Sequence, residues 1–110
     1  LHHLPDQDKL RFFKRLARGM APGGLFLLED GMLDFELSEL PGRWEGLLAV
    51  EAPRHYGPRW EQVKPDFIKS FAEEFPTSVH VLRRLLGQAG FELLESRAFT
   101  SFYGQVLARR

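Results

Sequence analysis

The stretch Pro22-Gly23-Gly24, followed at once by Leu25-Phe26-Leu27-Leu28 and then by Glu29-Asp30-Gly31, constrains this chain more than any other. Four consecutive apolar residues leave no polar face for water. The run therefore predicts a strand buried on both faces, as parallel strands are. Such a strand needs helices against its sheet, and the flanking sequence supplies them. Before it, Phe13, Leu16, Ala17 and Met20 recur at helical spacing, with Asp6 after Pro5 as the expected cap, Asp8 complementing the dipole, and Gly19 with the Pro-Gly-Gly turn as the stop. After it, Leu82, Leu85, Leu86 and Ala89 repeat the pattern behind a Thr77 or Ser78 cap, and Gly90 supplies a left-handed stop. Two short apolar runs, Phe91 to Ser96 and Phe102 to Ala108, then suit an antiparallel pair.

Between these parts lies the least regular stretch, from Met32 to Pro76, cut by Pro41, Pro53, Pro58, Pro65 and Pro76. Helical turns are expected around Trp44-Leu47-Leu48 and Phe67-Phe71-Phe75, with Asp66 as the cap of the second. The order helix, buried strand, helical insert, helix, strand, strand predicts an α/β sandwich with a mixed sheet.

With 110 residues, two independent domains are excluded. Fifteen basic side chains balance fifteen acidic ones, so nothing draws the chain broadly to a phosphate backbone or an anionic membrane, and nucleic-acid binding is disfavoured. A winged-helix nucleic-acid binder built on the helix before the terminal strands is disfavoured on the same ground. No apolar run approaches the roughly 20 residues of a membrane-spanning helix. The absence of cysteine excludes disulfides, thiolate metal sites and cysteine nucleophiles, and favours an intracellular, cytoplasmic location.

Three ordered blocks resemble the carboxyl-terminal half of a class I S-adenosylmethionine-dependent methyltransferase. Leu1-His2-His3-Leu4-Pro5-Asp6 is similar to the family's segment leaving its fourth strand. Ala17-Arg18 through Met20-Ala21-Pro22-Gly23-Gly24-Leu25-Phe26-Leu27-Leu28-Glu29 is similar to its helix-turn-strand, with Gly19 and Ala21 departing from the usual side chains. Leu85-Leu86-Gly87-Gln88-Ala89-Gly90-Phe91-Glu92 and Phe102 to Arg109 resemble the helix stop before the sixth strand and the last, antiparallel strand. The resemblance implies a Rossmann-like half-sandwich with a mixed sheet, arranged as a loop, helix and fifth strand over 1–31, a variable substrate-side insert over 32–77, and a helix with the sixth and seventh strands over 78–110. It implies S-adenosylmethionine as cofactor and a small-molecule methyl acceptor for a longer parent protein. The family's glycine-rich turn and the acidic residue ending its second strand have no counterpart in this chain.

The resemblance also places residues. Leu1 and His2 fall beside the cofactor, and His2 or His3 is the candidate to take a proton from the acceptor. Adjacent histidines on an extended segment point apart, so a shared metal ion is not expected. Glu29 and Asp30 end the buried strand at the same sheet edge, where they either face the substrate or the methionine amine or simply end a strand in solvent. The insert brings Arg43, Trp44, Arg54, His55, Tyr56 and Trp60, types suited to a planar or anionic substrate, although large aromatics are as readily packing residues. Tyr103 opens the last strand and is a further candidate. Arg83-Arg84 and Arg109-Arg110 read as solvated charge. A second reading is a methyltransferase-like module that only binds partners, dimerising through the exposed edge of the Leu25–Leu28 strand.

Overall fold

The computed structural model describes all residues 1–110. Helix α1 (Asp6–Gly19) leads through the Pro-Gly-Gly turn into strand β1 (Leu25–Gly31). A helical segment follows, with α2 (Leu40–Gly46), a π-helical turn, α3 (Ala52–Tyr56) and α4 (Trp60–Glu73). Helix α5 (Val79–Gln88), strand β2 (Glu92–Thr100) and strand β3 (Tyr103–Arg109) complete the chain. The strands form one sheet in the order β1-β3-β2, and both pairings are antiparallel.

The expected mixed sheet is therefore corrected: within these 110 residues the sheet is wholly antiparallel, and the sole parallel pairing is an isolated bridge between Leu33 and Ser78. The reason lies in β3, which runs between its two neighbours and takes Leu27 opposite Leu107 on one side and Glu95 opposite Leu107 on the other. Burial of β1 on both faces is corrected too. Leu25 and Leu27 are 62% and 57% exposed, because helices cover only the opposite face of the sheet, where Phe26 and Leu28 pack.

That covered face holds the main core. Phe13 and Ala17 of α1 and Leu82, Leu85 and Leu86 of α5 meet Val106 and Ala108 of β3. A second core lies in the insert, where Leu33, Phe35, Leu47, Ala52, Trp60 and Phe67 close over Phe102. Two cores arise because α1 and α5 cover the sheet while α2 to α4 pack on one another and on the β2–β3 turn.

The caps show where local rules sufficed. Ser78 Oγ accepts from the Val81 N–H at 3.2 Å, so Ser78 is the α5 cap, and Gly90 takes φ +96° to end the helix. Asp6 does not cap α1. The helix begins at Asp6 itself, and the carbonyl of Pro5 accepts from Asp8 and Lys9. Asp66 does not cap α4 either, since that helix begins six residues earlier at Trp60, which buries itself against Phe67 and carries the helix through Pro65.

Candidate functional site

The loop before α1 folds back onto the carboxyl end of β1. There Asp30 receives four donors: its Oδ2 accepts from the His2 N–H at 3.0 Å and lies 3.1 Å from the Leu1 nitrogen, while its Oδ1 lies 2.8 Å from His2 Nδ1 and 2.8 Å from the Gly31 nitrogen. Burial by itself raises the Asp30 carboxyl, but the hydrogen bonds from His2, Leu1 and Gly31 and the His2 charge outweigh it and hold its pKa below the ordinary value. The other ring nitrogen of His2, Nε2, lies 2.8 Å from Glu74 Oε2 at the end of α4. His2 thus stands between two carboxylates contributed by distant segments: Nδ1 is hydrogen-bonded to Asp30, whereas the buried Glu74 Oε2 has no hydrogen-bond partner.

Beside this group opens a cavity of about 230 Å³. Its walls come from the first loop, the end of β1, the helical insert and the β2–β3 turn. His2 and Asp30 form one side with Gly31, Met32 and Leu33; Tyr56 of α3 and Phe67, Ser70 and Phe71 of α4 form another; Phe102 and Tyr103 close it from the β2–β3 hairpin. The aromatic walls brace one another, with Phe67 and Phe102 at 5.2 Å and Tyr56 stacked on Phe102 at 6.4 Å between ring centres. No arginine or lysine side chain lines the space. Burial raises the Tyr103 phenol, and the negative charges of Glu29 and Asp30 push it further in the same direction. Burial likewise raises Tyr56, against the opposing effect of Arg59.

Of the residues singled out in sequence, the structure brings His2, Asp30, Tyr56 and Tyr103 to one cavity. His55 is exposed, yet its ring lies 4.8 Å from Tyr56, 5.5 Å from Phe102 and 6.1 Å from Tyr103, at the cavity's outer rim. Leu1 contributes its backbone nitrogen to Asp30, and its side chain packs on the main core. The rest lie elsewhere. His3 and Arg54 are exposed and line no part of the cavity, and Glu29, also exposed, acts on it only through Tyr103. Trp60 is a core residue at 6% exposure, and Trp44 stacks on the far side of Phe67 and against Phe71.

Sequence reasoning missed Glu74, Ser70 and Lys9. Ser70 lies on α4 and Glu74 ends it; Ser70 bonds only the nearby Phe67 carbonyl and reaches the cavity through the packing of the helix, while the contact of Glu74 with His2 lies far along the chain, so no local pattern marks either. Phe67 and Phe71 were legible only as a helical repeat, and Phe102 only as the start of an apolar run.

No protein-family model matches the chain. Over 71 residues, 64% of the chain, it is 31% identical to the alpha N-terminal protein methyltransferase 1 of Caenorhabditis elegans. The chain is therefore related in sequence to a methyltransferase. It spans about a quarter of that protein's length, since the match covers 25% of it.

Proposed function

We propose that this chain forms the acceptor-side half of an S-adenosylmethionine-dependent methyltransferase of the Rossmann-like class, and that the cavity beside His2 receives the group to be methylated. The observation that carries this reading is the His2 imidazole pinned by Asp30 at the carboxyl edge of the sheet, facing an aromatic-walled cavity, in a chain related to a methyltransferase. Open, mostly parallel α/β sheets bind their ligands beyond the carboxyl ends of their strands, and β1 and β2 both end beside this cavity. The β1-β3-β2 order and the bare sheet face bearing Leu25 and Leu27 are further support, because a sandwich needs a second layer over that face.

The fit to the cofactor is partial. Pockets that enclose a ligand of that size hold about 300–1,000 Å³, and the cavity of about 230 Å³ falls short. These residues form one wall of a cofactor site, without the glycine-rich turn that would hold the rest. The bound cofactor would supply an electrophilic methyl group. This chain's own residues exclude water with Phe67, Phe71 and Phe102, orient the acceptor, and offer Nε2 of His2, in the neutral tautomer whose Nδ1–H donates to Asp30, as the group to take up its proton.

The acceptor is a compact nucleophile that is not strongly anionic, since no basic side chain other than His2 faces it. Small phenols and amines fit this description, as does a terminal amino group of the kind named for the worm relative. Incubation of the complete gene product with methyl-labelled S-adenosylmethionine and a panel of small amines, phenols and free-amine peptides tests the reading. Label is expected in an acceptor, at a rate lowered by His2→Ala. A gene product that neither binds the cofactor nor transfers label sinks it.

The uncovered β1 edge favours a second reading, a module that pairs with another copy through this strand. Sedimentation of the 110-residue chain separates the two. A dimer abolished by Leu27→Lys supports pairing, and a monodisperse monomer at high concentration counts against it.

A further inference from the structure

We propose that Lys9 is a positioning residue for His2: a single buried cation that ties the loop carrying His2 to the segment carrying Glu74. This rests on the reading of His2 as a working group of the site. Lys9 lies in the first turns of α1 and is 1% exposed, whereas Lys14 on the same helix is in solvent. A lysine is buried at considerable cost unless each of its donors is satisfied. Here all three are. Nζ donates to the Leu4 carbonyl at 2.6 Å, to the Phe75 carbonyl at 2.8 Å and to Asp6 Oδ1 at 3.3 Å.

The choice of acceptors is what points beyond stability. Leu4 stands two residues past His2, and Phe75 directly follows Glu74. Leu4 and Phe75 lie outside the strands and helices, so no backbone ladder joins the two segments. The remaining backbone tie between them is the Phe75 N–H, which donates to the His2 carbonyl at 2.9 Å. Lys9 Nζ and this bond together set the distance between the two segments, and with it the 2.8 Å approach of His2 Nε2 to Glu74 Oε2. Asp30 fixes the other ring nitrogen from β1. His2 is held from β1 by a carboxylate, and its approach to Glu74 is set by the Lys9 bridge together with the Phe75–His2 backbone bond.

Lys9→Met retains most of the stem and removes the three donors. In the 110-residue chain, the His2 ring resonances are expected to move toward those of solvent-exposed His3, while the rings of exposed His55 and His80 and the methyl groups of core Leu86 and Val106 stay in place. A folded Lys9→Met variant with His2 ring resonances unchanged overturns the proposal, because Lys9 would then contribute stability alone. If that variant does not fold, the wild-type chain decides. A Lys9 ammonium signal protected from water exchange, with cross-relaxation to Leu4 and Phe75, is expected, and a signal averaged with free lysine overturns the proposal. The readout is the ring itself, so its failure leaves the methyl-transfer reading intact, and failure of methyl transfer leaves this one intact.

Discussion

His2 Nδ1 lies 2.8 Å from Asp30 Oδ1, a contact made across the sheet edge between the first residues of the chain and the end of β1. Asp30 is the more constrained partner, since the backbone nitrogens of Leu1, His2 and Gly31 also converge on it. Asp30→Asn replaces an all-acceptor carboxylate with an amide that must turn one donor toward these donors. A cost of about 1–3 kcal/mol is expected, read by urea denaturation, together with loss of His2 ring order. An unchanged midpoint would show that the cluster is a surface ornament.

The same residue sets an acid limit. Its folded pKa lies below the ordinary 3.8, so its contribution to stability is fully present above that value and is lost as pH falls through the lowered one. Melting temperatures of the wild type and Asp30→Asn are expected to differ at neutral pH and to converge below about pH 4. A constant difference down to the most acidic conditions would contradict the sign.

The phenol of Tyr103 is raised by burial and by Glu29 and Asp30. A raised folded pKa means that its stabilising contribution is present below the unfolded value of 10.0 and is lost as pH climbs through the raised value. Ultraviolet titration is expected to show a late-ionising tyrosine that disappears in Tyr103→Phe, leaving the similarly raised Tyr56.

Gly104 sits in the centre strand, where a Cβ would stand 2.5 Å from the Arg97 carbonyl oxygen and 3.4 Å from the Ala98 Cα. Backbone cannot yield as a flexible side chain would. Gly104→Ala is expected to cost about 1–3 kcal/mol through strain and to disturb the neighbouring Tyr103, visible in thermal unfolding and in the tyrosine titration. Gly42→Ala, with open space around its Cβ, serves as the control.

Leu86 is fully buried between α5 and the sheet, and Leu27 is 57% exposed on the bare face. Leu86→Ala is expected to cost about 2–5 kcal/mol, while Leu27→Ala changes the unfolding free energy by less than about 0.5 kcal/mol in the monomer. A large loss from Leu27→Ala would place a covering partner on that face.

Much of this fold is legible in the chain because it rests on local rules. The spacing of Phe13 and Ala17, the Ser78 cap, the Gly90 stop and the apolar run after Gly24 each determine an element from neighbours a few residues away, and those elements occur where the sequence puts them. The same local reading errs where two local solutions compete: it gives Asp6 and Asp66 caps they do not form, since Pro5 and Trp60 already start those helices. Membership of the candidate site divides along the same line. His2, Asp30, Tyr56 and Tyr103 could be named from their side-chain chemistry only together with the places that the family resemblance gives them. Glu74 and Lys9 could not, because each matters only through a partner far along the chain, and a charged residue on an amphipathic helix reads as solvated until packing buries it. The sequence by itself determined α1, α5 and the three strands and that their order is α/β, while α3 and the true start of α4 were not legible in it. Tertiary structure alone decided that the sheet is antiparallel, that one of its faces stays bare, and that a buried lysine joins the loop carrying His2 to the segment carrying Glu74, because strand direction, coverage and long-range hydrogen bonds are set by which surfaces meet rather than by any residue's own preference.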